Sequence, residues 1–157
     1  MLRVLAILIG VAVPLAAAEA KTHRAAIEVA KTWLRAVERG DLQVLAKTTS
    51  VPFTYATTAK VKRCEQTVSA QKDLSSWVSC IRKADDLLME EIRQSEVIPA
   101  DPPNVESKEM KRLASKITVP GTWIKAYING DGVTFTFRFL LVEGAVAAFL
   151  VDADFMS

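Results

Sequence analysis

The feature that most restricts the fold is the alternation in VTFTFRFLLV, residues 133–142. Successive side chains of a strand point to opposite faces. Val133, Phe135, Phe137, Phe139 and Leu141 therefore share one face, and Thr134, Thr136 and Arg138 share the other. The flanking segments TWIKAYI (122–128) and AVAAFLVDADF (145–155) are strand-like too. NGDG and Glu143-Gly144 supply the turns between them. The pattern predicts a three-stranded antiparallel meander with one apolar face.

Loop length fixes which residues join that face. A four-residue loop at 129–132 places Ile124, Ala126 and Ile128 with the phenylalanines, and Trp123, Lys125 and Tyr127 with the threonines. For the second turn a three-residue loop is expected, with Gly144 left-handed. It puts Phe149, Val151 and Phe155 on the apolar side and Asp152 and Asp154 on the polar side. A two-residue turn would set Asp152 against the phenylalanines, and burying an unpaired carboxylate costs several kcal/mol. The polar face then carries Trp123, Lys125, Tyr127, Arg138 and Asp152, with Arg138 about opposite Trp123 at cation–π range. Such a face is either solvated or a homodimer interface, because aromatics and arginine are enriched in interfaces.

The earlier chain reads as helical. RAAIEVAKTWLRAVER (24–39) places Ile27, Ala30, Leu34 and Val37 on one helical stripe, widened by Trp33. Gly40 is the expected stop, since glycine accepts the left-handed conformation. Asp41 then caps a short helix, LQVLAK, with Leu42 and Leu45 facing inward. Arg39-Gly40-Asp41 is therefore fold punctuation and not an adhesion signal. SVPFTYAT (50–57) reads as a strand with Pro52 near its start. A short polar crossing follows, through Val61 to Cys64. Asp73 caps a long helical run over 74–94, with Leu74, Trp77, Val78, Ile81, Leu88 and Ile92 inward and a break near 83–85. PADPPN (99–104) is a loop, because its prolines stop a helix. Ser107 caps a short helix, KEMKRLASK.

The first twenty residues read as a cleavable signal peptide. Arg3 is the positive start, residues 4–18 are apolar apart from Gly10 and Pro14, and Ala16–Ala18 or Ala18–Ala20 fits the cleavage site. The apolar run is about fifteen residues, short of the roughly 20 that span a bilayer. Residues 21–157 then form a single domain, periplasmic or secreted, with no later membrane span. Removing Arg3 and Glu19 leaves the net charge at +2. That is too weak for a nucleic-acid partner, and there is no dense basic stripe. In an oxidising compartment Cys64 and Cys80 are most simply a disulfide. A metal site needs more ligands, and His23 is the one histidine.

Long helix, Gly-Asp corner, short helix, Pro-Phe strand, third helix and closing meander together resemble the nuclear transport factor 2-like superfamily, also called SnoaL-like or cystatin-like. The carriers are WLRAVERGDLQVL, PFTY and VTFTFRFLL…AVAAFLVDADF. The resemblance implies an α+β fold: a curved antiparallel sheet wrapped around N-terminal helices, a cone-shaped α+β barrel of bacterial export. It also implies a pocket at the open end of the cone and, in many members, dimerisation through the outer sheet face. Members include isomerases, dehydratases, cyclases and non-catalytic scaffolds, so fold alone does not give function.

Catalytic members use a His/Asp pair, or a Tyr with carboxylic acids. Here no residue is assigned a catalytic role. His23 lies at the start of the first helix, Asp152 and Asp154 fall on the outer face, and Tyr55 reads as packed. Asp85-Asp86 and Glu90-Glu91 are helix-surface charges. No phosphate loop, nucleophile elbow, metal cluster or cofactor motif is present. The expectation is a non-catalytic exported domain that binds a small apolar molecule or an envelope protein. Trp33, Phe53, Tyr55, Trp77 and Phe137 are the candidate pocket lining, with the alternative that they simply fill the core. The alternative is a small isomerase or dehydratase with an acid–base pair in the cone.

Overall fold

The computed structural model describes residues 13–58, 64–84, 86–94, 96–99, 112, 115, 117, 119–129 and 133–155. For 13–20, 86, 87, 91, 96–99, 123–129, 133–135 and 153–155 only the backbone course is described. The expected Ser107 cap and its short helix lie almost wholly outside these residues. Most of the expected proline loop does too.

Helix α1 (Val13–Arg39) ends at Gly40, whose φ of 70° is the left-handed stop anticipated for it. A side chain there would also meet Arg82 Nη1 at 2.5 Å. Asp41 caps α2 (Leu42–Thr48): its Oδ1 accepts from the Val44 N–H at 3.1 Å. Leu45 is fully buried, but Leu42 is 44% exposed. The inward pair is therefore Leu45 with Val44, which packs on the core, and not the expected Leu42 with Leu45. In a helix of two turns, Leu42 sits at the first position and faces outward.

Strand β1 (Thr49–Thr57) pairs antiparallel with β2 (Gln66–Val68), a strand not expected between the crossing that ends at Cys64 and the helical run after Asp73. A 3-10 turn (Gln71–Asp73) precedes α3 (Leu74–Ala84), and α4 (Asp86–Gln94) follows. α3 ends at Ala84 and α4 begins at Asp86, within reach of the break expected near 83–85. All six residues expected inward on these helices are buried. A Cys64–Cys80 disulfide ties the start of the β2 segment to α3. With a sequence separation of 16, its closure stabilises by roughly 3 kcal/mol on the chain-entropy account.

The remaining strands are β3 (Glu96–Pro99), β4 (Thr122–Asn129), β5 (Val133–Val142) and β6 (Ala145–Phe155). They complete one six-stranded sheet in the order β2-β1-β6-β5-β4-β3. The α+β arrangement is as expected, with two additions. β1 joins the meander parallel to β6, so the sheet is mixed rather than wholly antiparallel. β3 is an edge strand ending in Pro99, a position that tolerates a missing N–H.

The sheet's inner face and the four helices share one core. Phe53, Tyr55, Phe137, Phe139, Phe149 and Val151 meet Trp33, Leu34, Val37, Trp77, Ile81, Leu88 and Ile92 there. The register of β4 on β5 is shifted by two residues from the one a 129–132 loop gives, with Ile124 opposite Phe139 and Ala126 opposite Phe137, so the faces are the expected ones although the partners are not.

The second turn differs from the expectation in an instructive way. Val142 pairs with Ala145, so the turn has two residues, Glu143 and Gly144, at φ 50° and 79°. Both central residues left-handed is the twist that suits a tight hairpin. That turn alone would bring Asp152 inward. The pairing instead slips by one residue: Leu141 meets Val146, and Leu140 meets Ala148. Ala147 is the extra residue of a bulge. Beyond it Phe149 faces Phe139 and Asp152 pairs with Thr136, as the expected faces require.

Two outcomes check this account. Gly40→Ala is expected to lower stability in chemical denaturation by about 1–2 kcal/mol, the cost of a left-handed non-glycine residue. An unchanged midpoint would contradict the corner geometry. Deleting Ala147 should abolish cooperative thermal unfolding, because residues 148–155 would exchange faces. Adding one glycine to the turn of that deletion variant should restore it.

Candidate functional site

Trp33, Phe53, Tyr55, Trp77 and Phe137 are brought together, as packed core. Each is at most 4% exposed. Ring centroids lie 5.7 Å apart for Trp33–Phe53 and for Trp33–Trp77, and 4.9 Å for Phe53–Trp77. Tyr55 sits 5.6 Å from Trp77, and Phe137 lies 5.7 Å from Phe149. The Trp33 indole N–H donates to Thr49 Oγ1 at 2.9 Å, which settles its one polar atom. Trp77 Nε1 is buried with no hydrogen-bond partner. At these exposures the rings offer a ligand almost no surface. Side chains this large, at inward positions of four elements, fill the volume that smaller ones would have left open.

The outer sheet face is also different from its expected form. Arg138 lies directly across from Lys125, and Trp123 across from Leu140, so Arg138 is diagonal to the tryptophan and not opposite it. Arg138 and Asp152 are 8% and 7% exposed, and Leu140, Ala148 and Leu150 on the same face are fully buried. Asp152 Oδ1 accepts from Thr58 Oγ1 at 2.7 Å. The Arg138 Nε has no hydrogen-bond partner. Arg138 and Asp152 thus give almost no free surface to a second copy of the chain. The side chains of Trp123, Lys125 and Tyr127 lie outside the described residues.

An open cleft of about 320 Å³ lies elsewhere, at the upper end of α1. Lys21, Thr22, Ala25, Ala26 and Val29 form its helix wall. Those positions recur at helical spacing, so they share one face. Thr122 at the start of β4, Leu141 near the end of β5 and Gly144 in the turn form the opposite wall. Thr122 and Leu141 are cross-strand partners, so one rung of the sheet floors the site. Gly121 holds this rung close, because a side chain there would strike the Leu141 carbonyl oxygen. No atom lies within 4 Å of where a Gly144 side chain would stand, which keeps the turn side open.

The cleft exists because of residue size. Lower on α1, Leu34 and Trp33 fill the space against the sheet. Higher up, alanines at 25 and 26 leave it empty. The walls are mostly apolar, with the hydroxyls of Thr22 and Thr122 and the ammonium of Lys21 as polar groups. None of the described lining residues is a carboxylate, imidazole or thiol. His23 is half-buried on the same helix but is not among them. The only buried carboxylate among the described residues, Asp152, is on the outer sheet face. No group of three potential metal ligands occurs among the described residues. No helix among them is long and apolar enough to cross a membrane. Sequence reasoning missed the cleft, since its signal was the smallness of residues 25 and 26 and not any chemical motif.

No family model and no curated protein matches the chain. Among solved structures, it is similar to a nuclear transport factor 2-like protein from Burkholderia xenovorans. That match has 11% identity and a TM-score of 0.45, covering 84% of this chain and 91% of the other. It is also similar to an LEH-like epoxide hydrolase from M. tuberculosis at 12% identity and a TM-score of 0.44, covering 85% of each chain.

Proposed function

We propose that this chain is an exported binding protein that takes a small apolar ligand in the cleft between α1 and the β4–β5 rung. The contrast between a ring-filled interior and an open, mostly apolar cleft carries this reading. A volume of about 320 Å³ is at the lower end of ligand pockets, which run from roughly 300 to 1,000 Å³. Described lining groups without a carboxylate or imidazole favour holding a molecule over reacting with it. The disulfide supports an oxidising compartment. The leader-like residues 1–20 support export. The burial of Arg138 and Asp152 favours a small ligand over a protein partner on the outer sheet face.

Ala25 is exposed, so a larger residue there fills the cleft without entering the core. Native mass spectrometry of the exported protein should show a retained small molecule that denaturation releases. Ala25→Trp should lose it at unchanged melting temperature. Equal retention by Ala25→Trp, or none by the parent, overturns the reading. Separately, the intact mass of protein recovered from the periplasm should correspond to a chain beginning at residue 19 or 21, with Cys64 and Cys80 oxidised. A full-length or reduced product would overturn export.

A further inference from the structure

We propose that the cleft selects an amphipathic anion, an alkyl chain ending in a carboxylate, with Lys21 as the partner of the carboxylate. This rests on the cleft being a ligand site. Of the described residues lining it, Lys21 alone carries a charge. Its side chain is exposed and makes no ion pair among the described residues. Arg24, also exposed, adds positive charge one helical turn along. Leader removal after Ala20 would place the new α-ammonium on the same rim.

The rest of the wall is suited to a hydrocarbon. Ala25, Ala26, Val29 and Leu141 present methyl and methylene groups to the space. Each ligand methylene removed from water strengthens binding roughly fourfold. The Thr122 hydroxyl lies on the wall opposite Lys21 and Thr22. The polar groups thus come from both sides of the cleft. An unbranched chain can lie along the apolar wall while its charged end stays at the wet rim beside Lys21. A cationic amphiphile would meet Lys21 as a like charge. A neutral one would gain the apolar contact alone. The ammonium is exposed, so its preference for an anion is modest, roughly threefold, and salt screens it.

Isothermal titration of the purified chain with decanoate, 1-decanol and decylammonium tests this. The expected order is decanoate tightest, by roughly threefold over the alcohol, and decylammonium weakest. Lys21→Gln should erase the decanoate advantage while leaving the alcohol unchanged, and so should high salt in the parent protein. Equal binding of decanoate and decanol, both lost in Ala25→Trp, would overturn the carboxylate inference and leave the cleft reading standing. Tighter binding of decylammonium would overturn it likewise. If none of the three binds and native mass spectrometry also finds no retained molecule, both readings fall.

Discussion

Trp33 is the side chain on which the architecture converges. Its ring packs against Phe53 of β1, Trp77 of α3, Phe139 of β5 and Phe149 of β6, with centroids 5.0–5.8 Å apart. Its indole N–H reaches Thr49. One residue of α1 thereby joins the first strand, the third helix and the last two strands. Each such ring pair adds about 0.5–1.5 kcal/mol beyond its buried area. The stabilisation is non-local: residues 33, 53, 77, 139 and 149 are far apart in the chain, so the helix gains it only when the sheet is in place.

That convergence requires every strand to present the right face, and the Ala147 bulge secures it for β6. A tight left-handed turn at Glu143-Gly144 and an inward Phe149 are incompatible without one extra residue. The chain satisfies both by spending that residue inside the strand. The same choice sends Asp152 outward to Thr58 and away from the rings. The filled interior then leaves the upper end of α1, with its two alanines, as an opening beside the sheet. Cleft and core are complementary results of side-chain size along one helix.

Much of this was legible in local patterns. The left-handed Gly40, the Asp41 cap, the division between α3 and α4, the inward positions of those helices and the two faces of the meander all follow from short-range rules of spacing and turn chemistry. Those rules act within a few residues and survive without knowledge of the rest of the chain. The edge strands β2 and β3 were not legible. Three or four residues carry too little periodicity, and such strands exist because a neighbouring strand offers hydrogen bonds. The exposure of Leu42 was missed for a related reason, since spacing alone does not say where a two-turn helix meets its neighbour.

The candidate site divides the same way. The sequence by itself determined that five aromatic residues would face the interior of an α+β fold, because their faces were fixed by strand alternation and helical period. Whether those rings line a hollow or fill it depends on three-dimensional packing, and only the tertiary structure decided that they fill it. It likewise decided that Arg138 stands across from Lys125, that Arg138 and Asp152 are buried, and that the open space lies at Lys21, Ala25 and Thr122. These are consequences of distances between segments brought together by folding, which no local pattern in a single chain encodes.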